Sequence, residues 1–441
     1  MISFLKNLYL RSLKRSYLNL KENSGVNMKR LFQISLLLAV LVVIASCGRN
    51  QSGQLTGVLD RPDWKGINPY GMVYVPSGTV HIGPSDQDVS NTFVQRQKAI
   101  SIQGFYMDDT EVTNNEYRQF VYWVRDSIAH TYLEHFMEED EDSDFDEPRI
   151  DWEYEIDWED ELLEELFYQG DDVLAGRRQI DVNNLVFEYE WFDWQKAAHD
   201  KGNSPRNTFI SRKKVNVYPD TLVWVRDFAY SYNEPMARNY FWHPAFDDYP
   251  VVGVDWHMAN AFSYWRTKLW NAYEDGPISE DFRLPTEHEW EYAARGGRAL
   301  APFPWGGYYT RNAKGCLLAN FKPGRGDYPE DGGLYTVKAD AYFPNDYGLY
   351  NMAGNIAEWT SSAYYENAYS FIHDLNPDIR YDAKDDDPEA DKRKVTRGGS
   401  WKDVSHFLQT GSRHFEYQDT TKSYIGFRCV LTFLGRSVND F

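Results

Sequence analysis

Arg283, Arg397 and Arg428 each sit among apolar residues, and this constrains the fold more than any other feature of the chain. A guanidinium stays charged at any accessible pH, so burial obliges it to find carboxylate or carbonyl oxygens. Structural ion pairs, rather than catalysis, are the expected role of all three. Gly398-Gly399 and Gly296-Gly297 accompany them. Such glycine pairs permit positive φ or the close approach of another segment.

At 441 residues the chain accommodates two average domains, or one large domain with insertions. An aromatic content of 16%, with 15 Trp and 32 Tyr, supplies ample core material and excludes global disorder. The net charge of -21 argues against a nucleic-acid partner and favours a solvated surface or a partner with a basic face.

The N-terminal region reads as an address. Met28-Lys29-Arg30 is a short basic stretch, Leu31 to Ala45 is apolar, and Ile44-Ala45-Ser46-Cys47 closes the run. It is too short to cross a bilayer stably and matches a cleavable export signal over 28–46. Residues 1–27 are expected to be an over-long start, since Met28 opens a complete signal. The residues before Cys47 resemble the lipobox of bacterial lipoproteins, which implies lipidation at Cys47 and a flexible tether over 47–70. No Asp follows the cysteine and no acidic run stands behind it. That resembles outer-membrane lipoproteins facing the periplasm. Cys316 and Cys429 are the other cysteines; sequence does not place them near each other.

Met72 to Gly83 is β-rich and broken by a Pro-Ser-Gly turn, and Ile102 to Asp108 reads as another strand. Thr113-Asn114-Asn115-Glu116 and Thr286-Glu287-His288-Glu289 are capping boxes, each opening a helix. Tyr117, Phe120, Val121 and Val124 give the first helix its buried face. Trp290, Ala293 and Ala294 do so for the second, which Gly296-Gly297 ends. Met258, Phe262, Trp265 and Leu269 mark a helix between them.

From Glu134 to Glu165 the chain is dominated by Asp and Glu, with Arg149 the one Lys or Arg. Ile150, Trp152, Tyr154, Ile156 and Trp158 alternate with Asp151, Glu153, Glu155, Asp157 and Glu159, a period of two that predicts a strand. Its acidic face fits either a solvated edge or a docking surface for a basic partner. Phe187, Tyr189 and Trp191, alternating with Glu188 and Glu190, predict a second such strand.

Six strings follow one another in order: Glu111 to Tyr117, Pro250 to Trp256, Arg283 to Gly297, Asn345 to Trp359, Arg397 to Trp401 and Ile425 to Cys429. Together they resemble the formylglycine-generating enzyme (sulfatase-modifying factor) family. The resemblance implies a single irregular α+β domain related to C-type lectins, over 71–433, with a large acidic insertion at about 126–249. Family enzymes carry two copper-binding cysteines after the Arg-Gly-Gly-Ser string. Registered on that string, this chain has Asp403 and Leu408 at those positions. Leucine cannot ligate a metal and a lone carboxylate suits Cu(I) poorly, so neither copper nor enzymatic activity is expected. The position that usually partners Cys429 falls on Ala294.

Asn351, Gly354, Ile356 and Glu358 offer an amide, two carbonyls and a carboxylate within one loop, the hard oxygen donors that suit Ca²⁺. The resemblance implies a structural calcium there, and a second at Asn320, Phe321, Asp331 and Gly333. A loop closed by its own hydrogen bonds is the competing reading at both. His288-Glu289 lacks the second histidine of a zinc-protease helix, and His406 and His414 flank the vacated positions without an evident third ligand.

A lipobox, a large insertion and vacated cysteines together mark one branch of the family. It comprises the lipoproteins of type IX secretion and gliding motility. Asn216 to Asp227, Ser231 to Pro235 and Tyr240 to Pro244 resemble its K-type member. The resemblance implies a non-enzymatic ring component on the periplasmic face of the outer membrane, assembled with an N-type partner. An active formylglycine-type oxidase and a J-type lipoprotein are the alternatives.

Overall fold

The computed structural model describes residues 69–84, 96–137, 149–273 and 280–435. The signal, Cys47 and most of the tether lie outside the described residues, as does the acidic stretch 138–148. All of the described residues but Gly435 belong to the compact unit Ile67–Leu434.

Strands β1 (Met72–Val75) and β2 (Gly78–Ile82) flank the Pro76-Ser77 turn, and β3 (Lys98–Ile102) pairs antiparallel with β2. Strand β4 (Phe105–Asp108) lies between β1 and β11 (Val430–Thr432), so the C-terminal strand closes against the beginning of the unit. A four-stranded sheet runs in the order β10 (Ile425–Gly426), β7 (Ala357–Ala363), β8 (Arg393–Arg397), β9 (His414–Tyr417).

Three longer helices pack on these sheets: α1 (Asn114–Tyr132), α2 (Trp256–Tyr273) and α3 (Glu287–Arg295). Both capping boxes form, with Thr113 accepting from the Glu116 amide and Thr286 from the Glu289 amide while each glutamate reaches back. Helix α3 ends where Gly296 takes a left-handed conformation at φ 58°. The stripe on α1 meets the stripe on α2, and the Tyr117 ring stacks on Phe262 with centroids 5.6 Å apart. Tyr117, Phe120 and Trp359 are fully buried in this core, each worth about 1.5–3 kcal/mol of transfer free energy. A second core gathers β2 and β3 against Trp290, Ala293 and Ala294.

The 150–159 stretch forms no strand, contrary to its alternation. Apart from one bridge between Phe136 and Ile150 it runs through turns. Asp151 Oδ1 accepts from the Glu153 amide, Asp157 Oδ1 from the Glu159 amide, and Asp160 Oδ1 from the Leu162 amide. Side chains that satisfy the backbone two residues on compete with a sheet ladder, and here they prevail. The aromatic residues fold back on α1: Trp152 stacks on Trp123 at 5.6 Å, and the Arg125 guanidinium lies 4.9 Å from the Trp158 ring.

The second alternation does form a strand, β5 (Val186–Phe192), paired antiparallel with β6 (Ile210–Asn216). Phe187 and Tyr189 turn inward and join the α1–α2 core, so this hairpin of the insertion is built into the body. On the outer face Glu188 stands opposite Lys214 and Glu190 opposite Arg212. The Arg212–Glu190 pair closes to 3.0 Å. The acidic row of β5 is thus neutralised within the chain. Among the described residues, no helix is long and apolar enough to cross a membrane.

Candidate functional site

Strand β8 ends at Arg397, and the chain turns through Gly398 and Gly399 at φ 91° and 67°. A Cβ on Gly399 would stand 2.8 Å from the Phe407 carbonyl oxygen, so the two arms of the 397–413 loop close tightly. Asp403 Oδ2 accepts from the Ser400 amide at 2.9 Å and its hydroxyl at 2.6 Å, and Oδ1 pairs with Lys402 at 3.2 Å. Leu408 is fully buried against Phe303, Leu317 and Phe321. One of the two registered positions therefore staples its own turn and the other fills a core.

Cys429 is buried with Sγ 3.4 Å from the Ser263 hydroxyl, and burial pushes its thiol up to about 12. Cys316 is exposed, and both are free thiols. Ala294 packs in the second core. His406 Nδ1 and His414 Nε2 are buried without a hydrogen-bond partner. Among the described residues, no three His, Cys, Asp or Glu side chains are grouped to hold a metal ion.

Beneath this loop lies a buried ion network. Arg397 pairs with Glu291 at 2.8 Å and donates to the Thr410 and Ser412 carbonyls. Glu291 also pairs with Arg295 at 2.6 Å. Arg413 forks onto Glu287 at 2.6 and 2.9 Å. Burial alone would raise Glu287, but Arg413, His288 and Arg397 overcome it and hold the carboxyl at about 2. Arg283 forks onto Glu289 with both contacts at 2.7 Å. Arg283 and Arg397 thus form the ion pairs that their sequence context implied, as Arg428 does with Glu358 at 2.7 Å.

The loop from Asn351 to Glu358 is buried throughout. Glu358 takes a bidentate pair from Arg428, at 2.7 and 2.8 Å, and the Trp290 indole N–H at 2.7 Å. Asn351 and Asn355 each donate an amide N–H to Glu111, both at 3.0 Å. Glu111 is fully buried, and burial raises its carboxyl to about 8. Sequence reasoning did not single out this residue. The available signal was its place two residues before the Thr113 cap, at the head of the first of the six strings. Gly354 donates to the Gly398 carbonyl at 3.0 Å, and Ile356 is fully buried in an apolar cluster. The loop is closed by the protein's own groups, and Glu358 has no oxygen free of Arg428.

The second set of expected ligands is arranged differently. Asn320 is 1% exposed and its Oδ1 has no hydrogen-bond partner. Its Nδ2 donates to the Tyr335 carbonyl at 2.8 Å, which fixes the orientation of the amide. A Cβ on Gly332 would lie 3.3 Å from that oxygen, so the Asp331–Gly333 turn passes beside it. Asp331 Oδ2 accepts from the Leu317 amide at 2.7 Å. Phe321 is buried and Gly333 adjoins the turn. The orphaned buried Asn320 Oδ1 beside this turn is a hard oxygen of the type calcium uses.

His414 makes the neighbourhood pH-sensitive. Burial pushes its imidazole from 6.5 down to about 4, with Asp403 opposing and Arg397, His406 and Lys402 reinforcing the shift. The unfolded chain therefore binds the proton first as pH falls. The His414 contribution to stability is complete above pH 6.5 and is lost between 6.5 and 4, by on the order of 3 kcal/mol, while the raised Glu111 carboxyl acts with the opposite sign. In urea unfolding at successive pH values, the stability of the parent minus that of His414→Gln should fall as pH drops from 6.5 to 4; a difference that does not change with pH would dismiss the His414 effect.

The chain is similar to known proteins over most of its length. The family model for the sulfatase-modifying factor enzyme 1-like domain matches residues 62–433. A formylglycine-generating enzyme of Bos taurus is 27% identical over 374 residues, covering 82% of this chain and 75% of the relative. An inactive Cα-formylglycine-generating enzyme 2 of Bos taurus is 34% identical over 189 residues, covering 42% of this chain and 50% of the relative. Among solved structures, PvdO from Pseudomonas aeruginosa aligns over 82% of this chain and 94% of its own, at 17% identity and a TM-score of 0.44. With an α+β architecture and a family match over most of its length, the chain belongs to the sulfatase-modifying factor enzyme 1-like family.

Proposed function

We propose that this protein is a non-enzymatic, structural member of its family: a lipoprotein anchored through Cys47 on the periplasmic face of the outer membrane. In this reading it is a ring component of the type IX secretion and gliding machinery, of the K type, assembled with copies of itself and an N-type partner. The observation that carries the non-enzymatic part is the fate of the two registered positions, with Asp403 capping Ser400 and Leu408 sealed in a core. Similarity to relatives named active and inactive alike leaves the choice to these residues. The assignment to the secretion branch rests on the resemblance of 216–244, with the lipobox before Cys47.

Two measurements test the halves of this proposal. Purified protein incubated with copper and a cysteine-containing sulfatase peptide is expected to give no formylglycine; measurable turnover refutes the non-enzymatic half. Deleting the gene is expected to abolish export of secreted cargo, and a deletion strain with normal export refutes the other.

Calcium belongs to this proposal as a structural ion. The proposed ligands are Asn320 and Asp331, with carbonyls of Phe321 and Gly333, because Asn320 Oδ1 has no hydrogen-bond partner while Glu358 is taken by Arg428. Chelation is expected to lower the melting temperature, because a ligand bound only to the folded state stabilises it. Asp331→Ala should remove that response. A melting curve indifferent to chelator would dismiss the ion.

A further inference from the structure

The outer face of α1 and the insertion enclose an open groove of about 910 Å³ that the family chemistry does not use. One wall is a row of rings: Trp242 lies 5.8 Å from Tyr122 and 5.9 Å from Tyr218, and its indole N–H donates to the Tyr218 hydroxyl. The deeper surface is aliphatic, with Val121 and Leu185 buried and Ile180 beside them. Two guanidinium groups line the groove, each lying over aromatic rings. Arg125 lies against Tyr122, at 4.6 Å, and Trp158, at 4.9 Å, with Nε and Nη2 both held by Asp126 at 2.7 Å. Arg178 lies over Phe167 at 3.9 Å.

Each part of this lining restricts what fits. The aliphatic floor rewards apolar side chains and would strand the hydroxyls of a sugar without partners. Tyr122 and Trp242 are 39% and 37% exposed, the amphipathic rings that interfaces cover. Stacking holds the Arg178 guanidinium in a fixed plane, which favours a forked contact with a carboxylate, whereas Arg125 is already paired with Asp126. The Arg178 partner, Glu159, stands 3.4 Å away on a side chain that is 89% exposed, a loose surface pair that an incoming carboxylate can replace. A protein of net charge -21 repels acidic ligands at long range, so a carboxylate is accepted only where it displaces an acid of the protein's own, as it can displace Glu159 from Arg178.

We infer that this groove captures an extended segment of a partner protein, one whose aliphatic or aromatic side chains flank an acidic residue. The apolar side chains enter between Trp242 and the floor, and the carboxylate reaches Arg178 in place of Glu159. The inference is independent of the oligomeric state and of the secretion assignment.

Random dodecapeptides displayed on phage, panned against the whole protein, provide the probe. The enriched peptides should share an Asp or Glu beside aliphatic or aromatic residues. Synthetic copies, followed by fluorescence anisotropy, should bind more weakly as salt rises. Arg178→Glu and Trp242→Ala should each weaken binding at least about tenfold, the range of interface anchors of these types. Arg178→Lys, which keeps the charge but loses the fork, should fall between. Circular dichroism and melting curves identify any variant that loses its fold, and the remaining variants then decide. The inference is overturned if no such consensus emerges, or if the selected peptides bind the folded variants as tightly as the parent. It is overturned equally if neutral oligosaccharides bind in a Trp242-dependent manner while acidic peptides do not.

Discussion

Replacing Glu358 by alanine is expected to lower the unfolding free energy by about 3–5 kcal/mol, because it leaves a buried charge without its counter-ion. Arg428 is fully buried and directs its fork at Glu358. Its remaining N–H groups donate to the carbonyls of Asp108, Asp109 and Tyr350, so one guanidinium ties β4 to the loop before Asn351. The alanine variant also deprives the Trp290 indole of its acceptor. Denaturant unfolding measures the loss. The double variant Glu358→Ala/Arg428→Met should recover much of it, since removing both charges is far less costly than removing one. If calcium at Glu358 were the stabilising element instead, the double variant would recover nothing.

Gly354→Ala is the second large expected effect. Gly354 sits at φ 81°, and an added Cβ would lie 2.4 Å from the carbonyl oxygen of Asn320. That carbonyl cannot yield freely, because it accepts from the Asn355 amide at 2.8 Å. The left-handed conformation costs about 1–3 kcal/mol for a residue with a side chain. The clash adds a further ~1–3 kcal/mol of overpacking. Gly315→Ala separates the two contributions: it has φ 91° but nothing within 4 Å of its Cβ, so it should show the strain alone. Equal losses in the two variants would show that the approach of Asn320 contributes nothing.

The hairpin and the turn segment of the insertion show why alternation alone misleads. Both stretches carry acids at every second position. In β5 those acids are glutamates, whose longer side chains leave the backbone to its ladder and meet Lys214 and Arg212 across the strand. In 150–159 aspartates at 151 and 157 take up backbone amides two residues on, and the chain turns. The difference lies in side-chain length and in the presence of a basic partner strand, and a period-two pattern registers neither.

What the sequence determined by itself is local. The capping boxes at Thr113 and Thr286, the apolar stripes of the three helices and the left-handed stop at Gly296 depend on contacts within a few residues, so their signatures are contiguous. The need of Arg283, Arg397 and Arg428 for counter-ions was equally legible, because a buried guanidinium admits no other outcome. Which carboxylate answers was decided only by the tertiary structure. Glu289 lies six residues from Arg283, but Glu358 is 70 residues from Arg428 and Glu291 is 106 from Arg397. The same holds for Glu111, brought under Asn351 and Asn355 from more than 200 residues away. The contacts across the α1 groove likewise join segments far apart in sequence. Long-range pairing depends on how the layers pack, and a carboxylate taken by an arginine in the folded chain looks, in the sequence, the same as one left for a cation.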